Sequence, residues 1–253
     1  MAQGVWDKTG LTATDTATSA DWEAVGSLDT NITLDLVDDF DADVNPVLRV
    51  YASSNGENSA TRFTQVPASD TLEVLSRAKY AEDVSALNRG NGLKFCAYME
   101  DPRVGGYQRT EVLPDDSLRL SQGGGFIARG SFATGGVSQE GRFEWYRTRI
   151  EPTGNAPREV RQRAKWWLGA VTDEPAGWQA DMVYSIGADE PITGYPAFQV
   201  RNNTDDHYVD FYSWGTDGDA APTSAAAIGP DTPVNLSTTN ILADSARLNW
   251  EQG

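Results

Sequence analysis

Apolar and polar positions alternate with period two through most of the first 214 residues. ITLDLV (32–37) sets Ile32, Leu34 and Leu36 on one face, and LKFCAYM (93–99) groups Leu93, Phe95, Ala97 and Met99. The same short texture recurs in VLRVYAS (47–53), TLEVLSRAKY (71–80), SLRLSQ (117–122), FIARGSF (126–132), RFEWYRTRIE (142–151), REVRQRAKWWL (158–168), QADMVYS (179–185), AFQVRN (197–202) and HYVDFYSW (207–214). Successive side chains of a strand point to opposite faces, so each run predicts a strand with one buried face. Turn-forming clusters separate them: SSNGEN, NRGNG, DPRVGG, LPDD, QGGG, ATGG, EPTGNAP, DEPAG and NNTDD. Many short strands with such punctuation predict an all-β, two-sheet antiparallel sandwich or a barrel. EDVSALNRG (82–90) alone has the texture of a short helix. The recurrent helical segments that a βαβ architecture needs are missing.

Composition narrows the function classes. Hydrophobic residues make up 39% of 253, enough for a sizeable core. The net charge of −17 repels phosphate backbones and argues against a nucleic-acid partner. No apolar run is long enough for a membrane-spanning helix, so no membrane insertion is expected. The single cysteine, Cys96, allows no intrachain disulfide and reads as a small packed residue. The single histidine, His207, would have to serve any Ser-His-Asp or Cys-His arrangement. Beside Asp205 and Asp206 it reads as ordinary surface. The N-terminal residues show no basic, apolar and small-residue succession of a signal peptide, so the expectation is a chain not exported by that route.

After Trp214 the texture changes to GTDGDAAPTSAAAIGPDTP, small and unpatterned, which predicts a linker over 215–229. The stretch that follows, 230–253, carries Pro230, Pro233, Leu236, Ser245-Ala246, Leu248 and Trp250. It resembles the opening of a fibronectin type III domain, in which the proline pair leads into the first strand and the tryptophan sits in the second.

The order of motifs from 126 to 214 is also informative. Trp145 and Arg149 share one strand. Ala164-Lys165 precede Trp166-Trp167, Glu174-Pro175 precede Trp178, and Gly194 and Asp210-Phe211 follow. This succession resembles the concanavalin A-like, laminin G-like jelly-roll modules. The resemblance implies an antiparallel jelly-roll sandwich over 1–214, with an N-terminal arm over about 1–27. Pro175 suits a turn, and Trp178 just beyond it can fold back over the preceding strand. Trp145 and Trp178 are therefore expected as structural aromatics. Trp166 and Trp167 are neighbours on a strand and must face opposite ways, so one is expected in the core and the other outward, available to stack on a sugar. Tyr107, Arg109 and Trp214 complete the candidate ligand-binding set.

Chemistry-bearing clusters are few. DDFDADVN (38–45) puts Asp39, Asp41 and Asp43 at alternate positions, hard oxygen donors that make weak calcium candidates. It is no EF-hand loop, since Val44 and Val50 stand where Gly and the bidentate Glu belong. The simpler reading is an acidic solvated loop without a cofactor. Carboxylate pairs for glycoside hydrolysis were sought because jelly rolls host such enzymes. Glu140 and Glu144, or Asp173 and Glu174, give no pair on one face beside an aromatic cleft. RVGGYQRTEV (103–112) has the Tyr and Arg of a lyase strand, but no histidine partner follows. The expectation is therefore a non-catalytic module. Modules of both resembled types normally work outside cells, yet no export signal is visible. Bacteriophage virion proteins reconcile the two, since they reach the exterior by host lysis. The leading expectation is a multi-copy virion surface protein (fibre, tail or capsid-decorating adhesin) whose partners are other virion proteins and host surface glycans. The alternatives are a secreted polysaccharide-degrading enzyme or its carbohydrate-binding module, and a purely architectural virion subunit.

Overall fold

A computed structural model describes residues 2–13, 21–25, 32–52, 58–80, 94–99, 108–112, 117–122, 127–133, 141–188, 191–201 and 206–224. The expected helix over 82–90 and the fibronectin-like stretch over 230–253 lie outside these residues. The strands are β1 (Ala2–Val5), β2 (Trp22–Val25), β3 (Ile32–Val37), β4 (Val47–Ala52), β5 (Asn58–Phe63), β6 (Leu72–Tyr80), β7 (Lys94–Met99), β8 (Gln108–Val112), β9 (Ser117–Gln122), β10 (Ile127–Ala133), β11 (Glu144–Pro152), β12 (Glu159–Trp167), β13 (Ala180–Ser185), β14 (Tyr195–Arg201) and β15 (His207–Thr216).

They form two antiparallel sheets. The eight-stranded sheet runs β13-β12-β11-β6-β15-β4-β3, with β1 also paired to β15. The seven-stranded sheet runs β10-β9-β8-β7-β14-β5-β2. Every pairing is antiparallel. The expected two-layer antiparallel sandwich is what the chain adopts.

The alternation read from sequence sets the inner face. Leu34 and Leu36 of β3, Leu48 and Val50 of β4, Leu72, Val74 and Ala78 of β6, and Val160, Ala164 and Trp166 of β12 all enter one inter-sheet core. At one end Trp6, Trp22, Phe63, Tyr212 and Trp214 form an aromatic cluster. Trp22 makes edge contacts with Trp6 and Tyr212 at 5.4 and 5.1 Å between centroids, and Phe63 lies 5.1 Å from Trp214. Each wholly buried side chain of this size contributes about 1.5–3 kcal/mol, and each ring pair adds about 0.5–1.5 kcal/mol.

Two short strands near the N-terminus are paired into the sheets. β1 pairs β15 in the eight-stranded sheet, and β2 pairs β5 in the seven-stranded one. The backbone N–H of Trp6 donates to Tyr212 O (2.9 Å) and continues the β1 pairing. Four-residue strands carry too little alternation to be read from sequence.

Several of the buried polar groups are hydrogen-bonded to one another. Gln162 Nε2 of β12 donates to Thr110 Oγ1 of β8 (3.0 Å) across the sandwich, while Tyr184 OH donates to Gln162 Oε1 (2.7 Å). Glu144 accepts from Tyr146 OH (2.7 Å) and Trp166 Nε1 (2.9 Å) on the inner face. His207 is also buried, which corrects its reading as surface. It shares the inner parity of Val209, and burial pushes its imidazole pKa down to about 4.

Candidate functional site

Inner parity leaves the opposite residues of β6, β11 and β12 on the outer face of the eight-stranded sheet. These are Glu73, Leu75, Arg77 and Lys79; Trp145, Arg147, Arg149 and Glu151; and Arg161, Arg163, Lys165 and Trp167. Register sets Trp145 opposite Trp167, Arg147 opposite Lys165, and Arg149 opposite Arg163. Two of these rows juxtapose like charges, which destabilises a sheet unless a counter-charge intervenes. Carboxylates supply it. Glu174 accepts from Arg147 Nη2 (2.9 Å) and Lys165 Nζ (2.8 Å). Glu151 accepts from Arg149 Nε (2.8 Å) and pairs with Arg163. Glu73 pairs with both Arg147 and Arg149. The result is an alternating chain, Arg163–Glu151–Arg149–Glu73–Arg147–Glu174–Lys165. Burial disfavours the charge on Arg149, yet its hydrogen bonds to Glu151 and Glu73 leave its pKa above the usual arginine value.

The Glu-Pro-x-x-Trp turn builds the rim of this lattice. Gly169 takes φ 94° after β12, and a single 3-10 turn follows at Val171–Asp173. Glu174 then reaches back to the sheet, and Lys165 Nζ also donates to Pro175 O (2.7 Å). Trp178 lies over β12, its ring centroid 5.0 Å from both the Arg163 guanidinium and the Lys165 ammonium. Beside it, Arg161 donates to Asp181 Oδ1 (2.7 Å) at the β13 edge, and that hydrogen bond holds the Asp181 carboxyl below its usual pKa.

The aromatic candidates are distributed differently from the expectation. Trp166 and Trp167 do face opposite ways, but both are buried, at 1% and 5% exposure. Trp166 packs in the inter-sheet core. Trp167 lies on the outer face, stacked on Trp145 at 6.0 Å and 9° between planes, in a second apolar cluster with Leu75 and Ala221. Trp145 Nε1 donates to Gly169 O (3.2 Å) and Trp167 Nε1 to Ala170 O (3.0 Å). Trp214, the third candidate, is in the aromatic end of the core. None of the three presents a ring to solvent. Alternation fixes which residues share a face but not what later chain covers that face. Of the described tryptophans, Trp178 alone is partly exposed rather than buried.

The remaining candidates sit apart. Arg109 is in β8, opposite Cys96 of β7 and Ser121 of β9, on the other sheet. Tyr107 lies outside the described residues. On that same sheet the Arg62 guanidinium stacks over Tyr195 (4.0 Å) and pairs with Glu23. This trio joins β2, β5 and β14 and has no local signature in sequence.

The acidic loop over 38–45 is tied down by the protein's own cations. Asp39 pairs with Lys79 and Asp43 with Arg77 (3.0 Å), with Asp41 3.8 Å from Lys79. Asp210, at a β-bulge of β15, pairs with Arg77 and with Lys8 (3.0 Å), and accepts from Asp43 N (3.1 Å). Burial lowers the Lys8 ammonium pKa despite the Asp210 carboxylate beside it. Each of Asp39, Asp41 and Asp43 thus lies against a cation of the chain itself. Among the described residues no group of three or more His, Cys, Asp or Glu could hold a metal ion. Glu144, considered as half of an acid pair, faces the core.

No family model matches the chain, and no curated protein matches it. Solved structures with a similar course include the metal-free VIP36 exoplasmic/lumenal domain, at 10% identity and TM-score 0.48, covering 81% of this chain and 89% of that one. A carbohydrate-binding module, CBM66 from Bacillus subtilis, has 10% identity and TM-score 0.47, covering 75% and 92%. An endo-β-1,4-glucuronan lyase from Trichoderma reesei has 9% identity and TM-score 0.45, covering 85% and 94%. At this distance neither ligand nor residue roles transfer.

Proposed function

We propose that the protein is a non-catalytic recognition module of a bacteriophage virion surface, present in many copies, that meets host surface glycans through a patch centred on Trp178. The observation that carries this reading is the state of the tryptophans: six are sealed in two apolar clusters, and Trp178 alone among those described is partly exposed. A pyranose presents an apolar C–H face that stacks on such a ring. The neighbouring Arg161 and Asp181, with side chains 44% and 35% exposed, offer donors and an acceptor to its hydroxyls. Arg163 and Lys165 fix the ring from the sheet side. The carboxylates of this face are committed to guanidinium and ammonium groups, an arrangement suited to rigidity. One stacked sugar gives weak affinity, and multiple copies on a particle raise avidity by roughly 10²–10⁴-fold. A net charge of −17 keeps such a surface clear of nucleic acid released at lysis.

The test is a glycan array probed with the full chain on a multivalent support, comparing wild type with W178A, W178Y and R161A. The reading expects selective glycan signals, lost in W178A, partly restored in W178Y and weakened in R161A, with unfolding midpoints showing each variant folded. Silence across the array, or signals indifferent to W178A, overturns the glycan reading. Neighbouring portal, tail or capsid genes are expected for the virion assignment, and a gene cluster for polysaccharide breakdown overturns it.

A further inference from the structure

The indole of Trp178 rests on a charged floor. The Arg163 guanidinium and the Lys165 ammonium each lie 5.0 Å from its ring centroid, on the side of the sheet. A bare indole face is electronegative and attracts the slightly positive C–H groups of a neutral sugar. Two cations behind the ring leave its other face less negative. The platform loses part of its pull on neutral sugars and tolerates an anionic one.

Arg161 supplies the charge to match. It shares the outer parity of Arg163 and sits one same-face step, about 7 Å, along β12. The three cations of this row differ in access. Arg163 and Lys165 have side chains 16% and 10% exposed, and their partners Glu151 and Glu174 are 22% and 21% exposed. Arg161 is 44% exposed and its partner Asp181 is 35% exposed. Asp181 accepts from Nε and Nη2 of Arg161. A guanidinium carries five N–H donors in a fork, so the Nη1 edge offers donors to a second carboxylate. An exposed ion pair also contributes little to stability, so a ligand can displace Asp181 at small cost.

We infer that the Trp178 patch selects acidic sugars of the uronate class, with the pyranose stacked on Trp178 and its carboxylate on Arg161. This rests on the glycan reading of the patch and names the class of glycan. A charge-assisted hydrogen bond is roughly twice as strong as a neutral one, so the carboxylate outweighs the hydroxymethyl group of the corresponding neutral sugar. The net charge of −17 opposes an anion mainly at long range. Screening confines that repulsion to about 8 Å at physiological ionic strength, and inside this distance the nearest groups decide. Asp181 is one of those groups, a competing anion within the site.

The test uses the full chain on a multivalent support and two probes, oligoglucuronate and oligogalacturonate, each beside its carboxyl-reduced form. The wild type is expected to bind each acidic form several-fold more strongly than its reduced form, and W178A to lose both. R161Q is expected to bring the ratio of acidic to reduced binding close to one. D181N removes the competing anion and is expected to raise that ratio several-fold, a gain that a merely structural role for Asp181 would not produce. Unfolding midpoints show which variants fold; if D181N does not, the wild-type and R161Q ratios decide. Trp178-dependent binding that is equal or stronger for the reduced forms overturns this inference and leaves the glycan reading standing. Silence towards all four probes overturns it as well, whatever other glycans are bound.

Discussion

Glu174 stands between Arg147 and Lys165, 2.9 Å from one and 2.8 Å from the other, and these two cations face each other across β11 and β12. The turn residue thus makes an otherwise repulsive cross-strand pair tolerable. Arg147 and Lys165 are both buried, so removing the carboxylate leaves Lys165 without its counter-charge and Arg147 with Glu73 alone. Glu174→Gln is expected to destabilise the fold by about 3 kcal/mol, within the range for breaking one side of a buried ion pair. Urea unfolding checks this. Adding Lys165→Met is expected to recover part of the loss, and a double-mutant cycle reads the coupling.

His207 predicts an acid-sensitive fold. Burial pushes its imidazole pKa down to about 4 in the folded chain, from an ordinary value of about 6.5, so between these pH values the unfolded chain binds the extra proton. The stabilisation is complete above about 6.5 and is lost as pH falls towards 4, an effect of up to about 3 kcal/mol for this one group. Unfolding free energy measured from pH 7 to pH 4 in wild type and in His207→Phe checks the assignment. The variant is expected to show the shallower slope in this window.

Gly4 is required by a close approach rather than by a turn. A Cβ there would run into the indole of Trp214, which is itself held in the core by Phe63 and Tyr212. Gly4→Ala is expected to cost about 1–3 kcal/mol through overpacking and to loosen β1 from β15. Amide exchange at residues 213–216 would read the loosening directly.

Much of the fold was legible because alternation and burial share one cause. In β3 the face named in the sequence, with Leu34 and Leu36, is the face that enters the core, and the runs over β6 and β12 are strands as read. The Glu174–Pro175–Trp178 turn was legible too, since its proline and its indole act within a few residues of each other. Coverage from distant chain was not legible. Parity sets Trp166 and Trp167 on opposite faces without choosing between them; Trp167 is the outward one, yet Ala221 from beyond β15 packs against it. His207 was misread from its acidic neighbours, although its parity with Val209 pointed inward. The Arg62–Tyr195–Glu23 trio depends on three strands meeting, and no local spacing encodes that.

The pairing of β1 with β15 has a temporal side. Residues 2–5 leave the ribosome before their hydrogen-bonding partners, residues 213–216, which are synthesised more than two hundred positions later. Trp6 and Trp22 likewise wait for Tyr212. Loop closure over such a separation is entropically late, so the aromatic end of the sandwich can seal only when translation of the body is nearly done. Until then the nascent chain exposes its earliest tryptophans, and its yield in a cell depends on how well they are shielded in that interval.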